Sequence, residues 1–124
     1  MFSHIVLGAN DIPAAKRFYD ATLGALGYAP AHDLGERLVY SGAAGTLMIT
    51  KPFDTQPATF GNGVTIGFLA PSAEAIDAFH EAGQGAGGSD EGAPGPRPAI
   101  PNSYAAYLRD PTGNKLVAWC VRQG

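Results

Sequence analysis

The feature that most constrains this chain is that it repeats itself. Residues 4–28, HIVLGANDIPAAKRFYDATLGALGY, lie over residues 65–89, TIGFLAPSAEAIDAFHEAGQGAGGS, without a gap at an offset of 61. Ile5 falls on Ile66, Ala9 on Ala70, Ala14 on Ala75, Phe18 on Phe79, and Ala21 on Ala82. Gly24, Ala25 and Gly27 fall on Gly85, Ala86 and Gly88. Alanine and glycine are common here, so the Ile and Phe matches carry the comparison. A repeat of this length means two copies of one supersecondary unit, and that prunes the possible folds before any element is assigned.

Each copy reads as a strand, a helix and then more strands. In the first, Ile5 and Leu7 alternate with His4 and Val6, the period of a half-buried strand. Asp11 is a helix N-cap, with Pro13 in the first turn, where its missing N–H costs nothing. Ala14, Ala15, Phe18 and Ala21 or Thr22 form the buried stripe, and Gly24 and Gly27 end the helix. Arg37 to Ser41 and Thr46 to Thr50 read as strands about a Gly-Ala-Ala-Gly turn. In the second copy Ser72 caps a helix with Ala75, Ile76 and Phe79 inward. Ser103 to Leu108 and Lys115 to Cys120 form a hairpin about Asp110-Pro111-Thr112-Gly113. Phe18, Phe68, Ile76 and Phe79 are expected in the core. Gln84 to Asn102, with its Pro94-Gly95-Pro96-Arg97-Pro98 run, reads as a long loop. His32 reads as a loop residue, and His80 as one on a helix surface.

The expected architecture is therefore α+β: two βαβββ modules, residues 1–56 and 61–124, joined by a short linker carrying Pro57 and Gly61. At 124 residues this is one domain. Edge to edge, two such modules make a curved mixed sheet with helices on the convex side and an open cleft on the other.

Composition narrows the function. The net charge is −3 and no basic stripe appears, which argues against nucleic acid. No apolar run is long enough for a membrane span, which needs about 20 residues. The N-terminus lacks the charged and apolar regions of a secretory signal. A single cysteine, Cys120, cannot form an internal disulfide and fits a reducing, cytoplasmic setting.

Three stretches carry a resemblance to a known family: SHIVLGANDIPAAKRFYDATLGALGY, GVTIGFLAPSAEAIDAFHEAG and YAAYLRDPTGNKLVAWC. With the Phe-Tyr-x-x-x-Leu-Gly helix end and the Asp-Pro-x-Gly-Asn turn, the whole chain resembles the vicinal oxygen chelate superfamily, also called the glyoxalase, bleomycin-resistance and extradiol dioxygenase superfamily. The resemblance implies a divalent metal in the cleft, chelated by two oxygens of the substrate. It also implies ligands from a His in the first strand, a His or similar residue opening the second module, and a Glu in the last strand. Carried onto this chain, those positions are His4, Thr65 and Val117. The closing strand of the first module, Leu47 to Thr50, holds no carboxylate, amide or His, and Lys115 to Gln123 holds no acid. A divalent transition-metal site needs about three N, O or S ligands. One His and a Thr hydroxyl do not meet that need, so no cofactor is expected, and a divalent metal has only His4 to hold it.

The remaining candidates each have a plainer reading. His4 can be a residual ligand or a cleft-lining proton-transfer group, or an ordinary His at a strand start. Arg97 can hold an anionic substrate through its planar fork, or be a solvated loop charge. Trp119, on the face of Val117 by alternation, is a candidate wall for a flat ligand, or an aromatic of the core or a dimer contact. Tyr104 joins it from the hairpin, and Tyr40, Met48 and Thr65 from elsewhere in the cleft. Cys120 is expected on the opposite, helix-packed face, as an inert thiol.

The expected function is that of a glyoxalase/bleomycin-resistance-like protein binding a small apolar or aromatic molecule in a cleft without metal. The alternative is a lyase, isomerase or dioxygenase of the glyoxalase type, with a metal or with His4 as a base. A regulatory module with a vestigial cleft is the third reading. Exposed sheet edges and the resemblance both suggest a homodimer.

Overall fold

Local signals set where each helix begins. In a computed structural model that describes residues 1–122, strand β1 (His4–Gly8) leads into helix α1 (Ile12–Ala25). The Asp11 carboxylate accepts a hydrogen bond from the Ala14 N–H, and Pro13 sits in the first turn. At the equivalent position, 61 residues on, the Ser72 hydroxyl accepts from the Ala75 N–H and opens α2 (Ala73–Gly85). Two different capping residues thus satisfy the same orphan donor in both copies. Gly27, at φ +100°, turns the chain out of α1 in a left-handed conformation that a side chain would strain.

The strands follow the repeat. The first copy continues with β2 (His32–Asp33), β3 (Arg37–Gly42) and β4 (Gly45–Thr50). The second is β5 (Ile66–Leu69), then α2, β6 (Ser89–Gly95), β7 (Ser103–Arg109) and β8 (Lys115–Val121). Each copy is a four-stranded mixed sheet, in the orders β1-β4-β3-β2 and β5-β8-β7-β6. The parallel pairs are β1 with β4 and β5 with β8, in the same relative place. The βαβββ plan therefore holds in both halves, and the sheet comes in two parts, with β1 and β5 as facing edges that share no ladder. Two strands were not anticipated. The stretch read as a long loop, Gln84 to Asn102, contains the end of α2 and all of β6. Residue His32 lies in a strand. Glycine, proline and acid hide β6 from a hydrophobic pattern, and its pairing with β7 is irregular at Gly92 and Gly95.

Alternation sorts the side chains. Leu7, Leu38, Ile49, Leu108, Leu116 and Ala118 face the helices and are buried with Phe18, Ile76 and Phe79. Phe68 packs against this core without being fully buried. Cys120 is buried and free, on the helix side as expected. His80 corrects the surface reading: it is buried on α2, with Nε2 2.8 Å from Asp90 Oδ1 on β6.

The two helices pack on each other, and equivalent positions of the repeat meet there. A Cβ placed on Gly83 of α2 would lie 3.0 Å from Cγ2 of Thr22 on α1, its counterpart in the repeat, and would collide with Leu108. A polar clamp joins the modules a second time. The buried Asp110 carboxylate accepts from the backbone N–H groups of Thr112, Gly113 and Asn114, all at 2.9 Å, and from the Asn114 amide and the Tyr19 hydroxyl. Asn114 Nδ2 also donates to the Gly8 carbonyl at the end of β1. Burial, together with Asp110, pushes the Tyr19 phenol well above its usual range, so it stays a neutral donor. A buried carboxylate without these partners would cost several kcal/mol. The Asp-Pro-Thr-Gly-Asn turn is thus a joint between the modules as well as a hairpin end.

Gly83→Ala is expected to destabilise the protein by about 1–3 kcal/mol, because Leu108 on β7 and Thr22 and Phe18 on α1 leave no room for the added methyl. Chemical denaturation checks this; an unchanged midpoint would show that the helices can part at no cost.

Candidate functional site

Where β1 and β5 part, the backbone leaves a cavity of about 280 Å³. It draws on both faces of the sheet because it sits at the seam. His4, Thr46, Gly67 and Leu69 belong to the open face, away from the helices; Ile5, Tyr40, Leu47 and Phe68 belong to the helix side. Tyr28, just past α1, forms one wall. Its ring approaches so closely that a Cβ on Gly42 would lie 2.9 Å from Tyr28 Cε1, so the glycine at the β3–β4 turn makes room for it.

Titratable chemistry in the cavity is sparse. The Tyr40 hydroxyl donates to Asp20 Oδ1 on α1 at 2.7 Å, and burial followed by this bond pushes the phenol far above its usual range. Tyr40 therefore contributes a ring and a committed hydroxyl, and not an acid or base. Burial pushes the Asp20 carboxyl up, but hydrogen bonds from Lys16, the Ala31 N–H and Tyr40 outweigh it and hold it below the usual carboxylate range. Asp20 is thus a fixed anchor behind the wall. His4 is exposed at the rim, with Nδ1 2.8 Å from the Ser3 hydroxyl. None of the lining residues is Asp, Glu, Lys or Arg.

The residues singled out from sequence are dispersed. His4 and Tyr40 line the cavity. Met48 pairs with Val6 and Val39, and Trp119 with Leu69 and Ala105, so both lie on the open face. Val117 is beside Gly67, its strand partner, with Cγ1 3.4 Å from where a Gly67 Cβ would stand. Thr65 immediately precedes β5, next to the lining residue Ile66, and does not itself line the cavity. Tyr104 is a correction. It pairs with Cys120, so it faces the helices, where its hydroxyl donates to Asp77 Oδ1 on α2 at 2.5 Å. The hairpin register puts it on the opposite face from Trp119, and register cannot be read from either strand alone. Arg97 lies in the turn after β6, over the Tyr107 ring and away from the cavity. Sequence reasoning missed Phe2, Tyr28 and Gly67. Nothing in a local pattern marks them, since they meet only when the two copies come together.

The metal that the fold family implies can be tested against these donors. Among the described residues, no three His, Cys, Asp or Glu side chains converge. Around His4 the neighbours that line the cavity offer hydroxyls, from Ser3, Ser41 and Thr46, and across the seam the pair Gly67 and Val117 offers no ligand side chain. One imidazole with hydroxyls does not fit a divalent transition metal. Calorimetric titration of the metal-stripped protein with Zn²⁺, Ni²⁺, Fe²⁺ and Mn²⁺ is expected to show no difference between the wild type and His4→Ala. Stoichiometric binding lost in the variant would overturn this account of the donor set.

The fold has counterparts among solved structures. The chain matches the Glyoxalase/Bleomycin resistance protein/Dioxygenase superfamily over residues 1–118, and it belongs to that family. It is similar to a glyoxalase/bleomycin resistance protein from Albidiferax ferrireducens T118, at 51% identity and a TM-score of 0.90, over 96% of this chain and 97% of that one. A glyoxalase/bleomycin resistance protein/dioxygenase family enzyme from Burkholderia phytofirmans PsJN shares the fold at 18% identity and a TM-score of 0.76, over 97% and 98% of the two chains. So does a lactoylglutathione lyase from Agrobacterium tumefaciens, at 20% identity and a TM-score of 0.64, over 96% and 92%. No curated protein matches this chain.

Proposed function

We propose that this protein binds a small, flat, predominantly apolar molecule in the seam cavity, without a metal. The observation that carries the reading is the lining: aromatic rings of Tyr28, Tyr40 and Phe68 and the aliphatic Ile5 and Leu47, with no Asp, Glu, Lys or Arg. An ionised group buried against these residues would lose hydration without gaining a carboxylate, ammonium or guanidinium partner. At about 280 Å³ it is near the lower end of ligand sites, which begin at about 300 Å³, and so suits a body of one or two rings. The alternative, a lyase, isomerase or dioxygenase of the glyoxalase type, has one observation in its favour, the His4 imidazole at the cavity rim. The single buried, free cysteine fits a cytoplasmic setting. Among the described residues, no helix is long and apolar enough to cross a membrane.

A thermal-shift screen of neutral one- and two-ring aromatic compounds tests this. A ligand present at about 100 times its Kd should stabilise the fold by about 2.7 kcal/mol. Gly67→Leu, which fills the cavity from its exposed edge, should keep the fold and abolish the shift. A shift that survives this substitution would place the ligand elsewhere.

The same reading includes a homodimer. Val6, Leu69 and Val121 are each at least half exposed on the open face, and a second copy of the chain would cover them. Light scattering after size exclusion should give twice the 12.8 kDa chain mass. Val6→Glu with Leu69→Glu should halve it; a wild-type monomer would remove the dimer from the account.

A further inference from the structure

On the open face of the second sheet, two cations gather on one tyrosine. The Arg97 guanidinium carbon lies 5.5 Å from the centroid of the Tyr107 ring, and Lys115 Nζ lies 5.3 Å from it. Neither forms an ion pair among the described residues. The acids of the adjoining strand are already engaged: Glu91 with Arg109, and Asp90, on the other face, with His80. Contact with an aromatic face is worth only about 0.5–1 kcal/mol per cation where water reaches it. It does not by itself account for holding two like charges around one ring.

Arg97 is also held in a particular way. Its Nη1 donates to the Gly95 and Pro96 carbonyls at 2.9 and 3.2 Å, and its Nη2 donates to the Ala93 carbonyl at 2.9 Å. A guanidinium has five N–H donors. The turn therefore fixes the group with three, leaving Nε–H and one Nη2–H without an acceptor among the described residues. Nε and Nη2 flank one edge of the guanidinium, the edge whose spacing matches the two oxygens of a carboxylate. Glycine creates the space for this: a Cβ on Gly92 would lie 3.2 Å from Arg97 Nη2 and 3.2 Å from the Tyr107 ring.

This cluster is aligned with the seam cavity. Tyr107 pairs with Val117 across β7 and β8, and Val117 pairs with Gly67 across β8 and β5. Tyr107, Val117 and Gly67 thus occupy one row across three adjacent strands, on one face, and Gly67 lines the cavity. Two interstrand spacings span roughly 10 Å. We propose that Arg97 and Lys115, set around Tyr107, form an anion subsite that takes the carboxylate of a ligand whose apolar body crosses Val117 into the seam cavity. This rests on the ligand-binding reading above and adds the chemical class, an aryl-substituted carboxylate. It also gives Val117 a role. An apolar side chain there passes the ligand body, whereas an acid would repel an approaching anion.

The test compares 4-phenylbutanoate with its uncharged amide by calorimetry at low ionic strength, with Trp119 fluorescence as a second readout on the same face. The acid should bind at least tenfold more tightly than the amide, and the preference should shrink as salt is added. Lys115, whose side chain makes no hydrogen bond among the described residues, can be changed to test this: Lys115→Gln should reduce that preference severalfold and leave amide binding unchanged. Arg97→Gln should do the same, with circular dichroism and melting confirming that the turn survives. Equal binding of acid and amide, or a preference intact in both variants, would overturn the anion subsite while leaving the cavity reading standing. If neither compound binds, the cavity reading fails and this one with it.

Discussion

The contact between α1 and α2 governs the rest of this structure. Each four-stranded sheet has a complete ladder within its own module, and the facing edges β1 and β5 share none. The modules are held instead by the helices, which approach closely because Gly83 presents no side chain to Thr22, and by the Asp110 clamp at the far turn. Apolar packing and a satisfied buried carboxylate thus replace strand pairing as the joint. A continuous ladder would have closed the seam. Fastening the halves from behind leaves edge backbone apart at one end, and the cavity is the space that remains.

That origin explains the character of the site. A space between two sheet edges takes residues from both faces, so rings from the helix side meet small residues from the open side. Tyr40 shows how far such residues are committed to the fold. Its hydroxyl is bound to Asp20, which also holds Lys16 and the Ala31 backbone, and its phenol is pushed far above the usual range. Little acid–base chemistry is left inside the seam, and His4 stands at its rim. Positive charge lies outside it, on Arg97, for which Gly92 leaves room, and on Lys115. Under the proposed reading, the seam would take the apolar body of an amphipathic ligand and these two cations its charged end.

Much of the fold was legible because the repeat supplied two independent readings of one plan. Asp11 and Ser72 differ, yet sit 61 residues apart and cap equivalent helices. Phe18 and Phe79 are both fully buried. What local patterns missed had little hydrophobic signal, such as β6, with its glycines, proline and acids, and the two-residue β2. His80 was misjudged for a related reason: its partner Asp90 lies on a strand that the pattern did not show. Tyr104 was assigned to the wrong face because alternation fixes faces within one strand, while hairpin register decides which faces of two strands coincide.

By itself, the sequence determined the α+β class, the two βαβββ copies, the caps, the Asp-Pro-Thr-Gly-Asn turn and the lack of a carboxylate at Val117. These are local or periodic properties, set by backbone geometry and by which side chains can cap, alternate or ligate. Tertiary structure alone decided where the cavity lies, that Tyr28 and Phe68 line it with His4, and that Tyr107, Val117 and Gly67 share a row. Those facts depend on register and on how one copy docks against the other. Both are settled by long-range packing between residues some 60 to 100 positions apart, and no local pattern along the chain encodes them.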